Sequence, residues 1–138
     1  MAPKYILGNT ISTVIPIKFL SDFLPSYFGF IDIENRINSG IETKKTVIAT
    51  GGSVVYGKEA MEHYKNIGKV VYLKVSMDIL TKRLNDVKQR GVVMKDGQSL
   101  VSLYNERTSL YEKYADYTID EGTLTMEEVI ADILSAIS

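Results

Sequence analysis

Arg107 stands where a charged side chain is costly. In the run S-L-V-S-L-Y-N-E-R-T-S-L-Y-E-K-Y, residues 99–114, the apolar positions Leu100, Leu103, Tyr104, Leu110, Tyr111 and Tyr114 recur at helical spacing. At about 100° per residue, Arg107 falls in the middle of that stripe rather than on its border. A guanidinium cannot shed its charge, so facing inward it needs an anionic partner. That partner is either a ligand carboxylate or phosphate, or an internal acid such as Glu106, Asp116 or Asp120; a side chain that snorkels to water is the remaining option. Spacing alone leaves these open.

A second feature is T-V-I-A-T-G-G-S, Thr46 to Ser53. Val47, Ile48 and Ala49 form a short apolar run closed by glycines, the pattern of a strand buried on both faces of a parallel sheet. Gly51 and Gly52 then fall at its carboxyl end, where open α/β sheets bind ligands. Two missing side chains let a ligand approach the backbone closely, although a plain strand-to-helix turn would look the same. The third feature is the stretch Arg90–Gln98. Lys88, Arg90 and Lys95 flank G-V-V-M between glycines, which suits a cationic lid over an anionic substrate or, equally, a solvated loop.

The whole chain bounds what such a site could serve. Its 138 residues suit one domain, and 45% hydrophobic with 24% charged residues is ordinary for a globular protein. A net charge of −1 leaves no electrostatic footprint for nucleic acid or a membrane surface. The absence of cysteine rules out disulfides and thiolate metal sites and suits a reducing cytoplasm. No apolar run approaches the length of a membrane span. His63, the only histidine, reads as a surface residue.

The elements that must position these residues alternate between strand and helix. Lys4–Leu7 reads as a first strand, Thr10–Leu24 as a helix with Pro16 near its start, and Phe28–Ile31 as a short strand. Ile33, Ile37 and Ile41 predict a short helix capped by Asp32 and stopped near Gly40. Lys58–Ile67 is a helix ending at Gly68. Val70–Val75 is a strand, and Ser76 caps a helix to about Gln89. Ser99 caps the helix that carries Arg107, and Tyr117–Ile119 is a last strand. Thr125 and Glu128 form a capping box before a helix that should bury Val129, Ile130, Ile133, Leu134 and Ile137. Such alternation predicts an α/β fold, a parallel sheet between helical layers. Right-handed crossovers would bring the strands' carboxyl ends to one edge.

A-T-G-G at 49–52, V-V-Y-L at 70–73, the Arg90 loop and N-E-R-x-x-L-Y-E-x-Y-A-D at 105–116 together resemble shikimate kinase, from about Glu34 to the carboxyl terminus. The resemblance implies a three-layer αβα fold of the P-loop kinase type, shortened at the amino terminus, forming one domain over residues 1–138, of which 1–33 diverge. It implies transfer of the γ-phosphoryl of ATP to the 3-hydroxyl of shikimate with Mg2+, in the cytoplasm. Arg107 would hold the shikimate carboxylate, Gly51 and Gly52 would line the ring through their backbone, and Arg90 would be the lid arginine at the transferred phosphate. This chain has Ser53 where the family has a third glycine, and Gly91 where its lid has proline.

The amino-terminal segment departs further. A P-loop needs G-x-x-x-x-G-K-[ST] between first strand and first helix, so that backbone N–H groups and the lysine cradle phosphates. Here Gly8-Asn9-Thr10-Ile11-Ser12-Thr13 follows the first strand. Ser12 and Thr13 are the candidate nucleotide-binding residues, with the Ser12 hydroxyl on magnesium, but the lysine is missing. Its loss would remove several kcal/mol of transition-state charge stabilisation, about 3 kcal/mol or more. Phe30-Ile31-Asp32-Ile33-Glu34 echoes the F-I-D-x-D strand end of the family, making Asp32 a candidate at magnesium or the reacting hydroxyl. By spacing to Thr46, Ile33-Glu34-Asn35-Arg36 fits better as the helix that precedes the next strand. Two functions follow: a phosphotransferase of the shikimate kinase type, or an inactive relative that binds a small anion or serves as a structural module. Exposed sheet edges would favour a homodimer.

Overall fold

The structure is a computed structural model, and it describes residues 4–7, 10–13, 27–85 and 95–138. The chain divides into two compact units, Met1–His63 and Tyr64–Ser138.

The first unit opens with two strands, β1 (Lys4–Leu7) and β2 (Thr10–Thr13). They pair antiparallel from Lys4 opposite Thr13 to Leu7 opposite Thr10. The helix predicted from Thr10 is therefore strand over its first four residues, and Val14–Leu24 lies outside the described residues.

Helix α1 (Tyr27–Ser39) comes next. It absorbs both the predicted strand Phe28–Ile31 and the predicted cap Asp32, which lies inside the helix. The buried face also differs from the isoleucine stripe. Phe30, Glu34 and Asn38 are buried, whereas Ile37 is exposed. Two polar residues displace isoleucine because each is bonded where it lies. The Asn38 amide donates to the Glu34 carbonyl at 2.7 Å, and Glu34 Oε2 accepts from the Ser53 hydroxyl at 2.6 Å. Periodicity sees only side-chain polarity, and bonded polar groups lose little on burial. The helix stops as predicted at Gly40, whose N–H bonds back to Ile37.

Thr46–Thr50 runs to the glycine pair with no ladder partner among the described residues, so the predicted strand is unpaired backbone, and Val47 is exposed. A short 3₁₀ turn (Gly52–Tyr56) follows and lies against α1, burying Ser53, Val54 and Val55. Helix α2 (Lys58–Ile67) matches its predicted limits, with the Gly68 N–H closing onto Tyr64 at 2.9 Å. Asn35 fixes the start of α2: its Oδ1 accepts from the Ala60 N–H at 3.0 Å and its amide donates to Glu59 at 2.7 Å. His63 is half-buried rather than a plain surface residue, with Nε2 2.6 Å from the Ile41 carbonyl oxygen.

The second unit holds the parallel pair. β3 (Val71–Lys74) and β4 (Tyr117–Asp120) align Val71 with Tyr117 through Lys74 with Asp120. Between them lie α3 (Met77–Asn85) and α4 (Leu100–Tyr114), so strand, helices and returning parallel strand form the crossover read from the sequence. Ser76 accepts from Ile79 N–H and Ser99 from Ser102 N–H, as their cap assignments require. Leu103, Tyr114 and Ile119 are buried. Helix α5 (Met126–Ile137) lies against β4 and carries the complete Thr125–Glu128 capping box. Its apolar face stays largely open: Ile130, Leu134 and Ile137 are exposed, contrary to the burial their spacing predicts.

Asp116 joins the parallel strands at their entry. Its Oδ2 accepts from the Val70 N–H at 2.8 Å and its Oδ1 from Lys65 Nζ at 2.9 Å. The Val70 N–H and then the Lys65 ammonium hold this carboxyl below the usual aspartate range. A depressed carboxyl contributes stability above its unfolded pKa and loses it as pH falls through the folded value. Asp116→Asn should therefore melt below the parent by a constant margin near pH 6–7. That gap should shrink in thermal scans carried below about pH 4. A gap independent of pH would remove the ionic part of this account.

Candidate functional site

Gly51 and Gly52 are both exposed at the mouth of the 3₁₀ turn. Gly51 adopts φ −70° and ψ 157°, an extended conformation open to any residue. A Cβ added there would meet Glu34 Oε1 at 3.6 Å and Ser53 Oγ at 4.0 Å, both ordinary contacts. Neither backbone conformation nor packing within the unit demands glycine at 51. Gly57 is the opposite case, since its Cβ would lie 2.4 Å from Asn35 Oδ1. A side chain at 57 would clash with Asn35, and one at 51 would meet ordinary contacts.

Beneath the glycine pair the turn is held from below. Ser53, the residue after the pair, donates its hydroxyl to a carboxylate that is only 3% exposed, and the Gly51 carbonyl accepts from the Val54 N–H at 3.3 Å. Sequence reading passed over Glu34 as a functional residue. The signal was present, because Phe30, Glu34 and Asn38 are spaced by four and so share a helix face.

Arg107 lies on α4 in the second unit, half-buried with its Nε atom enclosed. Each acid weighed as an internal partner also meets another group. Glu106 accepts from Gln98 at 3.2 Å and pairs with Lys95 at 3.6 Å. Asp116 holds Val70 and Lys65, and Asp120 accepts from the Gly122 N–H at 3.1 Å. The tyrosines around Arg107 pack as expected: Tyr104 donates its hydroxyl to the Val75 carbonyl at 2.9 Å, and the rings of Tyr72 and Tyr111 lie 4.9 Å apart. Burial pushes the Tyr72 phenol up. Of the loop cations, Lys95 is committed to Glu106, while Lys88 and Arg90 lie outside the described residues.

The residues offered for nucleotide and metal are placed differently from a phosphate loop. Ser12 and Thr13 are strand residues, paired with Tyr5 and Lys4. A cradle needs consecutive N–H groups converging on one point at a helix start, and strand N–H groups alternate in direction. Asp32 is exposed on α1 beside Arg36, at 3.7 Å. No cluster of acids and histidine suited to a metal ion occurs among the described residues. Ser12 and Thr13 thus lie on β2, and Asp32 on the exposed face of α1.

Helices flanking a parallel pair, with an exposed glycine turn and a half-buried arginine, define an α/β protein of the P-loop kinase type. The family model described as "Shikimate kinase" matches residues 28–138. The chain is similar to the "Shikimate kinase" of Enterococcus faecalis, 28% identical over 120 residues, or 80% of this chain and 71% of that protein. It is 37% identical over 108 residues to that of Thermodesulfovibrio yellowstonii, 76% of this chain and 62% of that protein. To that of Aquifex aeolicus it is 30% identical over 93 residues, 67% of this chain and 54% of that protein. The chain thus spans between 54% and 71% of these relatives' lengths. It belongs to the shikimate kinase family. No helix among the described residues is long and apolar enough to cross a membrane.

Proposed function

We propose that this chain is a shikimate kinase-like domain that takes the acceptor of the family's reaction, shikimate or a hydroxy acid of that shape, for phosphorylation of its 3-hydroxyl by ATP. The observation that carries this is Gly51, a glycine that the fold does not need, exposed where a ring can lie against the backbone. Gly51 and Gly52 line the acceptor, Arg107 holds its carboxylate, and Arg90 meets the transferred phosphate. On the side of the donor, ATP with Mg2+, the candidates Ser12 and Thr13 lie on β2, paired with Tyr5 and Lys4. That pairing favours a second reading, in which the domain binds the hydroxy acid without transferring phosphate.

Two measurements separate the readings. Turnover of shikimate with ATP and Mg2+ at millimolar concentration supports the kinase, and calorimetric binding of shikimate without turnover supports the binding module. Absence of both removes the two together. Gly51→Ala adds a methyl that the fold accommodates. Its thermal midpoint should stay within a few degrees of the parent, for a cost of about 1 kcal/mol or less. Shikimate affinity should fall roughly tenfold or more, because the methyl occupies the approach to the backbone. Equal loss of stability and affinity would mean that Gly51 serves the fold after all.

A further inference from the structure

The family likeness leads one to expect a third glycine at 53, and this chain has a serine whose side chain is fully employed. Ser53 is 5% exposed and Glu34 3% exposed, and the Ser53 hydroxyl donates to Glu34 Oε2 at 2.6 Å, a short O–H···O bond. Glu34 lies on α1, and its main-chain carbonyl accepts the Asn38 amide. Its other carboxylate oxygen lies 3.6 Å from the position a Cβ would take on Gly51. The same side chain therefore grips the residue after the glycine pair and underlies the first glycine of the pair. We infer that Ser53 and Glu34 are positioning residues, which set the height and tilt at which Gly51 and Gly52 present their backbone to a ligand oxygen.

The physical argument is one of directionality. A glycine at 53 would leave the turn free to rock about Gly51 and Gly52, which carry no side chains to pack. A buried bond to a carboxylate on a neighbouring helix removes that freedom, and its cost falls before the ligand arrives. The pair touches no ligand, so it acts through the backbone of the turn. The inference rests on the proposed acceptor site for its functional part, while its structural part can be read without any ligand.

The experiment compares the full chain with Ser53→Ala, Glu34→Ala, Glu34→Gln and, as a control elsewhere on α1, Ser39→Ala. Amide exchange of Val54, whose N–H closes the turn on Gly51, is read beside shikimate affinity by calorimetry and the thermal midpoint. Ser53→Ala and Glu34→Ala should speed Val54 exchange about tenfold and weaken shikimate about tenfold. Glu34→Gln keeps an acceptor for the hydroxyl and should recover most of both, and Ser39→Ala should change neither. If Glu34→Ala fails to fold, Ser53→Ala and Glu34→Gln carry the comparison. Unchanged exchange overturns the positioning role. So does faster exchange with unchanged affinity, which would leave only a structural tie. Should the parent bind no shikimate, the acceptor reading falls, and Val54 exchange alone upholds or overturns the grip on the turn.

Discussion

Arg107→Ala is expected to weaken shikimate binding about 100-fold, equivalent to about 2.7 kcal/mol, while the protein stays folded. A guanidinium meets a carboxylate through parallel N–H bonds, and charge-assisted bonds in a partly enclosed site contribute about 1.5–3 kcal/mol. Alanine suits the middle of α4, and the loss of the packed arginine stem should cost only about 1 kcal/mol. Arg107→Lys separates charge from geometry. Lysine restores a point charge without the fork, so it should regain roughly tenfold of the lost affinity and no more. Calorimetry with shikimate, and with an analogue lacking its carboxylate, measures both effects. The analogue should bind the parent and the alanine variant alike. If the alanine variant binds shikimate as the parent does, the carboxylate is held elsewhere.

Gly57→Ala should be the most destabilising methyl that can be added to the first unit. The new Cβ would lie 2.4 Å from Asn35 Oδ1, 2.8 Å from its Cγ and 2.9 Å from its Cβ. The whole Asn35 side chain must leave, not only its tip. With it go the bonds to the Ala60 N–H and to Glu59, which begin helix α2. A lost helix cap costs about 1 kcal/mol, and forcing an extra carbon into a packed site about 1–3 kcal/mol more. The sum, about 2–4 kcal/mol, should lower the melting temperature by roughly 6–15 °C. Asn35→Ala alone should cost about 1 kcal/mol, and combined with Gly57→Ala it should give back part of the clash. The double variant should thus be less unstable than the two single losses added. Strict additivity in thermal or urea unfolding would show that the two positions do not meet.

These variants divide along the line between what the chain's pattern encodes and what folding adds. Helices α2 and α4, the caps at Ser76, Ser99 and Thr125, and the parallel partners β3 and β4 were legible in the sequence, because each depends on neighbours within a few residues or on alternation along one strand. Arg107 was legible in the same way, as a charge out of phase with its helix. The family likeness extended this to membership of the shikimate kinase family, which the match over residues 28–138 shows.

Three features were decided only by tertiary structure. Phe28–Ile31 is helix, although its residues suit a strand, because a bonded Glu34 and Asn38 give that segment a buried face that hydrophobicity alone does not reveal. Thr46–Thr50 has a strand's composition and no strand, since a ladder requires a partner that local sequence cannot supply. Thr10–Thr13, which local pattern reads as the start of a helix, is a strand because Lys4–Leu7 pairs with it. Local propensity decides what a segment can be, and long-range bonding decides which of those it becomes. The glycines at 51 and 57 look identical in the sequence. Only the atoms around them show that Asn35 forbids a side chain at 57, whereas at 51 a Cβ would meet only ordinary contacts.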